Sequence, residues 1–237
     1  MALPMMKAPL YNTIIPSSKK EVKFRPFLVK EEKALLLAQQ SEDPKVMINT
    51  LKSIIQNCIV DDVDVDKLAI FDYEYLFTQI RAKSVGEIVE LMFLCDTCTD
   101  EKAKSPVNLD ISKFVVEFPE GHSNKIELFD DVGIMMKNPN IDTLEKLEQV
   151  NDGDVNAIFD VVADCMESVY TTEEVFNTKD QTKQEVLDFL ENLTQEQFKK
   201  VENFFLTMPK LRQKVEYDCP VCNKHHVKTM EGLESFF

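Results

Sequence analysis

Two Cys-x-x-Cys pairs, Cys95-Asp-Thr-Cys98 and Cys219-Pro-Val-Cys222, stand 120 residues apart in a chain of 237. Two residues between thiolates let one turn present both sulfurs to a single metal ion, and two such turns complete a closed four-sulfur shell. A fold that uses this spacing must bring the two turns side by side. Closing so long a loop costs about 4 kcal/mol of chain entropy, whereas a structural zinc ion contributes on the order of 10 kcal/mol when its site forms only on folding. The spacing therefore predicts one structural Zn²⁺ held by Cys95, Cys98, Cys219 and Cys222, with no open coordination position and hence no catalytic metal. The second turn has the better sequence: Pro220 favours it, and Asn223 tolerates the left-handed backbone often needed after the second thiolate. His225 and His226 follow closely enough to substitute for a cysteine, but with four thiols present they read as surface residues or as donors to the thiolates. Cys58 and Cys165 lie on apolar helical faces and read as core.

Around these pairs the pattern predicts an α+β protein, mostly helical, with a small antiparallel sheet region and a zinc-ribbon-like element closed by the two distant knuckles. Residues 1–20 read as a flexible basic arm and 21–237 as a single α+β domain, helical over about 31–82 and 141–208, with the sheet part at 86–137 joined to 211–230. Pro26 confines the segment after the arm to a sheet edge. Asp43 and Pro44 cap a helix with Ile54, Ile55 and Cys58 on its apolar face. Val155, Ile158, Phe159, Val162, Cys165 and Val169 repeat at helical spacing. Thr182-Lys-Gln-Glu185 and Thr194-Gln-Glu-Gln197 are capping boxes. The acidic run Asp61 to Asp66 lacks the glycine and distal glutamate of a calcium loop and reads as a solvated linker with a helix cap.

Charge and missing motifs exclude several functions. The net charge is −15, with a local +5 over residues 1–30 and −20 over the rest, which argues against wrapping generic DNA or RNA. The basic arm either docks on an acidic surface, its own body's or a partner's, or stays a solvated tail. Five glycines form neither a Gly-x-Gly-x-x-Gly loop nor a Walker A cradle, and the three histidines sit in no hydrolase motif, so neither nucleotide chemistry nor a hydrolase site is expected. Asp130-Asp131 and Glu173-Glu174 read as solvated surface, the phenylalanines near Phe204 as core, and the terminal Phe236-Phe237 as an anchor on a partner or on the body. No apolar run approaches a membrane span, and no secretory signal is read at the N-terminus.

Lys23-Phe-Arg-Pro-Phe-Leu-Val-Lys-Glu-Glu-Lys-Ala34, Gln79-Ile-Arg-Ala-Lys-Ser-Val-Gly86, the Cys95-Asp-Thr-Cys98 knuckle, Met208-Pro-Lys-Leu-Arg212 and Tyr217-Asp-Cys-Pro-Val-Cys222 together resemble the baseplate hub assembly family of T-even-type contractile-tailed phages. The resemblance spans the chain after residue 20. It implies a non-enzymatic viral protein made in the host cytoplasm, acting as hub subunit or assembly chaperone, with other baseplate hub proteins as partners, room for a homo-oligomer and a place in the virion tail baseplate. Two other classes compete on sequence alone. A zinc-ribbon nucleic-acid-binding regulator would gather cations at the knuckles, yet Asp96, Asp100, Glu101 and Asp218 flank them beside Lys102, Lys104, Lys224 and Lys228. A thiol oxidoreductase would use Cys219 as nucleophile, but two mutually closable pairs favour metal.

Overall fold

The computed structural model describes residues 7–41, 43–98, 102–129, 131–147 and 154–232. The chain divides into two compact units, Met1–Val65 with Phe71–Glu117 and Lys210–Phe237, and Asp66–Ile70 with Phe118–Pro209. Among the described residues no helix is long and apolar enough to cross a membrane.

The first unit opens with a hairpin, β1 (Tyr11–Ile14) and β2 (Glu21–Phe24), paired so that Tyr11 faces Phe24. Alternation in β2 buries Val22 and Phe24 and exposes Glu21 and Lys23. α1 (Val29–Ser41) and α2 (Pro44–Cys58) follow. Asp43 caps α2 by accepting from the Lys45 amide, Pro44 occupies its first turn, and Ile48, Leu51, Ile54, Ile55 and Cys58 form its buried face. α3 (Ile70–Ser84) buries Phe71, Tyr73, Leu76, Phe77 and Ile80. The buried Asp72 on α3 accepts from both the amide and the hydroxyl of Ser17, so the turn of the β1–β2 hairpin is tied to the helix. Lys20 reaches the Asp62 carbonyl and the Lys23 amide the Asp61 carboxylate, which places the basic segment on the chain's own acidic run.

Two further sheets complete this unit. β3 (Ile88–Leu94) pairs with β4 (Lys104–Asp110), while β5 (Val115–Glu117), β10 (Lys210–Asp218) and β11 (His225–Glu231) form a sheet in the order β11-β10-β5, all antiparallel. Leu109, Phe114, Leu211, Val215 and Met230 make a shared core, with Leu91, Phe93 and Val107 packed against it.

In the second unit β6 (Lys125–Phe129), β7 (Val132–Met136), β8 (Met166–Tyr170) and β9 (Val175–Asn177) form a four-stranded antiparallel sheet in sequence order. α4 (Ile141–Leu147), α5 (Val155–Asp164), α6 (Lys183–Glu191) and α7 (Gln195–Thr207) accompany it. Ile126, Leu128, Ile134, Met136, Val162, Met166, Leu190, Val201 and Phe204 supply its core. Gly133 is required on β7, since a Cβ there would stand 2.1 Å from the Tyr170 hydroxyl and 2.5 Å from the Ile126 carbonyl.

The expectation of a mostly helical protein with one small sheet region and a zinc-ribbon-like element is overturned. The described residues are 42% helical and 29% strand, arranged in four sheets. Residues 86–137 and 211–230 do not form one sheet part: β3–β4 stands alone, β5 joins β10 and β11, and β6–β7 belong to the second unit's sheet. The helical spacing through Val169 is also broken. α5 stops at Asp164 with Cys165 as its cap, and Met166–Tyr170 is a strand on β7.

Candidate metal centre

The four-cysteine cluster is built at the ends of two hairpins in the first unit. β10 and β11 close on the Asp218–His225 pair, leaving Cys219 to Lys224 as the turn, and β3 and β4 close on the Leu94–Lys104 pair, with Cys95 the first residue beyond β3. In the first turn the Cys95 amide donates to the Ala103 carbonyl. In the second, the Cys219 amide donates to Lys224 and the Asn223 amide returns to Cys219. Asn223 has φ 54°, the left-handed conformation expected of it.

Thiol ligand atoms from Cys95, Cys98, Cys219 and Cys222 all lie within 4.8 Å of one another. Cys95 Sγ is 3.8 Å from Cys222 Sγ, and Cys98 Sγ is 3.6 Å from Cys219 Sγ. A tetrahedral ion with bonds of about 2.3 Å has ligand edges of about 3.8 Å, so the donor set fits a four-sulfur metal shell. Cys95 and Cys219 are buried, Cys98 is half-buried and Cys222 is exposed.

Backbone amides prepare the inner sulfurs for charge. The Cys98 amide chiefly, with the Thr97 amide acting in the same sense against burial, holds the Cys95 thiol down at about 5. The Cys222 amide, aided by that of Val221, lowers Cys219 in the same way. At Cys222 the Lys224 amide pulls downward but is outweighed by hydrogen bonds with Cys219 and Cys95 and by burial, so this thiol is raised.

The two histidines after the knuckle separate cleanly. His226 is buried, its Nε2 lies 3.2 Å from Cys95 Sγ, and its ring stacks on Tyr217 at 5.0 Å. Tyr217 in turn stacks on Phe93 of β3 at 5.1 Å and donates its hydroxyl to the Leu94 carbonyl. With its proton on Nε2, His226 donates to the Cys95 sulfur. His225 is exposed and pairs with Asp218.

Sequence reasoning missed the polar clamps that join the hairpins: Ser105 to the Asp218 carbonyl, Lys224 to the Thr97 hydroxyl and Lys228 to Asp96. The signal for the aromatic ladder was present. Alternation along β10 places Val215, Tyr217 and Cys219 on one face, and His226 is the residue opposite Tyr217. Cys58 and Cys165 are buried and are not members of the cluster, and burial pushes their thiols up to about 11 and about 12. Phe204 and Val201 are core. Thr99, Asp100, Glu101, Asp130 and the Phe236-Phe237 pair lie outside the described residues.

A family model for the T4 bacteriophage base plate protein matches residues 8–237. The chain is also 23% identical over 228 residues to the baseplate hub assembly protein gp26 of Enterobacteria phage T4, a match covering 96% of this chain and 97% of that protein. No solved structure matches.

Proposed function

The chain belongs to the T4 bacteriophage base plate protein family, and from that premise we propose that it acts, without catalytic turnover, in assembling the central hub of a phage tail baseplate. The observation that carries this reading is the near end-to-end match, over residues 8–237 rather than over one shared module. Its partners are other baseplate hub proteins, which it meets in the host cytoplasm as a hub subunit or assembly chaperone. The test is an amber mutant of its gene. Tails from a non-permissive infection should lack complete hubs, and a tagged wild-type copy should restore them and co-purify with hub components. Normal hubs without the protein would overturn the reading.

Within that role the four thiols hold Zn²⁺ as a structural metal. Supporting this are the fit of the sulfur spacing to a closed tetrahedral shell and the amide donors that favour thiolate at Cys95 and Cys219. A four-cysteine shell offers no ligand position for a substrate, so the ion supplies cross-linking and not Lewis-acid chemistry. Elemental analysis of protein purified without chelator should give one zinc per chain, and its absence would overturn the assignment. No observation favours a nucleic-acid regulator, since Lys228 at the cluster is paired with Asp96 and Lys224 is held by Thr97.

A further inference from the structure

Of the four cluster thiols Cys222 alone is exposed, while Cys98 is half-buried and Cys95 and Cys219 are 1% and 0% exposed. An oxidant arriving from water therefore meets Cys222 first. Its sulfur lies 3.8 Å from that of Cys95 on the other hairpin, and the remaining two, Cys98 and Cys219, lie 3.6 Å apart, again one from each hairpin. A disulfide is about 2.05 Å long, so each pair closes with an approach of roughly 1.5–1.8 Å. The inner sulfurs are tethered in their own turns, Cys95 Sγ by the Thr97 amide and Cys219 Sγ by the Val221 amide, each at 3.4 Å. The clamps from Ser105 to Asp218, Lys224 to Thr97 and Lys228 to Asp96 span the hairpins without using a sulfur, so they keep the two pairs facing each other when no metal is bound. A bond inside a knuckle would instead close a four-residue ring. In the second knuckle that backbone is already fixed by the Cys219–Lys224 and Asn223–Cys219 hydrogen bonds and by the left-handed Asn223.

We propose that the cluster exchanges its metal for disulfides: oxidation by a peroxide starts at Cys222, links it to Cys95 and then links Cys98 to Cys219, so that zinc is released while the hairpins stay cross-linked. The inference rests on the zinc reading and not on the hub assignment.

In the first step the Cys222 thiolate attacks hydrogen peroxide. The S–O bond forms, the O–O bond breaks and hydroxide leaves, giving a sulfenic acid. In the second, the Cys95 thiolate attacks that sulfur, the S–S bond forms, the S–O bond breaks and a second hydroxide leaves. Two thiolates have then given two electrons to one peroxide, and two protons from solvent turn both hydroxides into water. A shell that has lost two of its four donors no longer holds zinc. A second peroxide joins Cys98 and Cys219 in the same way. The new bonds connect residues 127 and 121 positions apart, so the tie between the hairpins passes from the metal to covalent links. A reducing cytoplasm keeps the thiols and the zinc, and an oxidising medium outside the cell converts the site.

The full chain, first assayed for zinc, is titrated with hydrogen peroxide while a chromogenic chelator reads released zinc, dimedone traps sulfenic acid and non-reducing peptide mapping identifies disulfides. Dimedone is expected on Cys222, zinc loss in step with the Cys95–Cys222 bond, a Cys98–Cys219 bond at excess peroxide, and recovery of four thiols and bound zinc on adding dithiothreitol and zinc. Hydrogen exchange of the oxidised protein should show Tyr217 to His226 still protected. Bonds within the knuckles, a sulfenic acid trapped first on another cysteine, further oxidation of Cys222 without a disulfide, or disulfides formed with zinc retained would each overturn the proposal and leave the zinc reading intact. Protein that carries no zinc before peroxide is added would overturn the zinc reading and the exchange together.

Discussion

Glu31 places a carboxylate almost wholly inside the first unit, 4% exposed, where it accepts from Arg25 and from the Leu28 amide. Burial opposes its ionisation, but the Arg25 and Leu28 hydrogen bonds and the Arg25 charge prevail and hold it below the usual 4.5. Because the folded value is depressed, the contribution is present above about pH 4.5 and is lost as pH falls through the folded value. Glu31→Gln should cost about 1–3 kcal/mol at pH 7, and urea titrations at pH 7 and pH 3.5 should show the gap closing in acid. A second prediction concerns His226. Replacing it with Phe keeps an aromatic ring against Tyr217 but removes the donor to Cys95, and outer partners of metal ligands are commonly worth tenfold or more in affinity. Chelator competition should show about tenfold weaker zinc retention in His226→Phe and none of that loss in His225→Ala. At this scale the sequence was unevenly legible. Asn223 announced its left-handed turn, whereas nothing in a chain with 42 acidic residues marked Glu31 or Asp72 as the buried ones.

Among the elements, those with local signals were readable and those defined by distant partners were not. Both capping boxes form as expected, with Thr182 and Glu185 starting α6 and Thr194 and Gln197 starting α7. Thr182→Ala should therefore lower thermal stability by about 1 kcal/mol, while Lys179→Ala, outside the box on an exposed turn, should leave it unchanged. β8 shows the opposite case. Cys165 and Val169 are four apart and extend the helical spacing of α5, yet Met166 to Ser168 also alternate buried, exposed, buried. A five-residue segment satisfies both periods, and the pairing with β7, about 30 residues earlier, decides between them. The same logic separated the sheets. Strand content between Gly86 and Met136 was visible in the apolar runs, but the partners of β5 and β7 lie in Lys210–Asp218 and Met166–Tyr170, and local pattern carries no such register.

On the scale of the whole molecule, the proposed zinc assignment has the four thiols cross-link two hairpins of the first unit whose shared apolar core is small, five buried residues among those described. Around the cluster itself the buried set is only Cys95, Ala103 and Cys219. With so little apolar surface, a zinc ion bound there would, at on the order of 10 kcal/mol, be the dominant tie at that end of β3–β4 and β10–β11. The second unit has its own core, formed by β6, β7, β8, α5, α6 and α7, with no residue of the cluster in it. Metal removal should therefore act on part of the molecule. Hydrogen exchange after zinc chelation should show protection lost in Ile88–Leu94 and in Tyr217 to His226, with Ile126, Ile134 and Met166 retaining theirs, and added zinc should restore the first set. Cys219→Ser should reproduce the chelated pattern without chelator, and Cys58→Ser, which changes a core thiol outside the cluster, should not. Uniform loss across both units would mean that the ion supports the whole fold, and unchanged protection would mean that the apolar core and the clamps from Ser105, Lys224 and Lys228 hold the hairpins together without it.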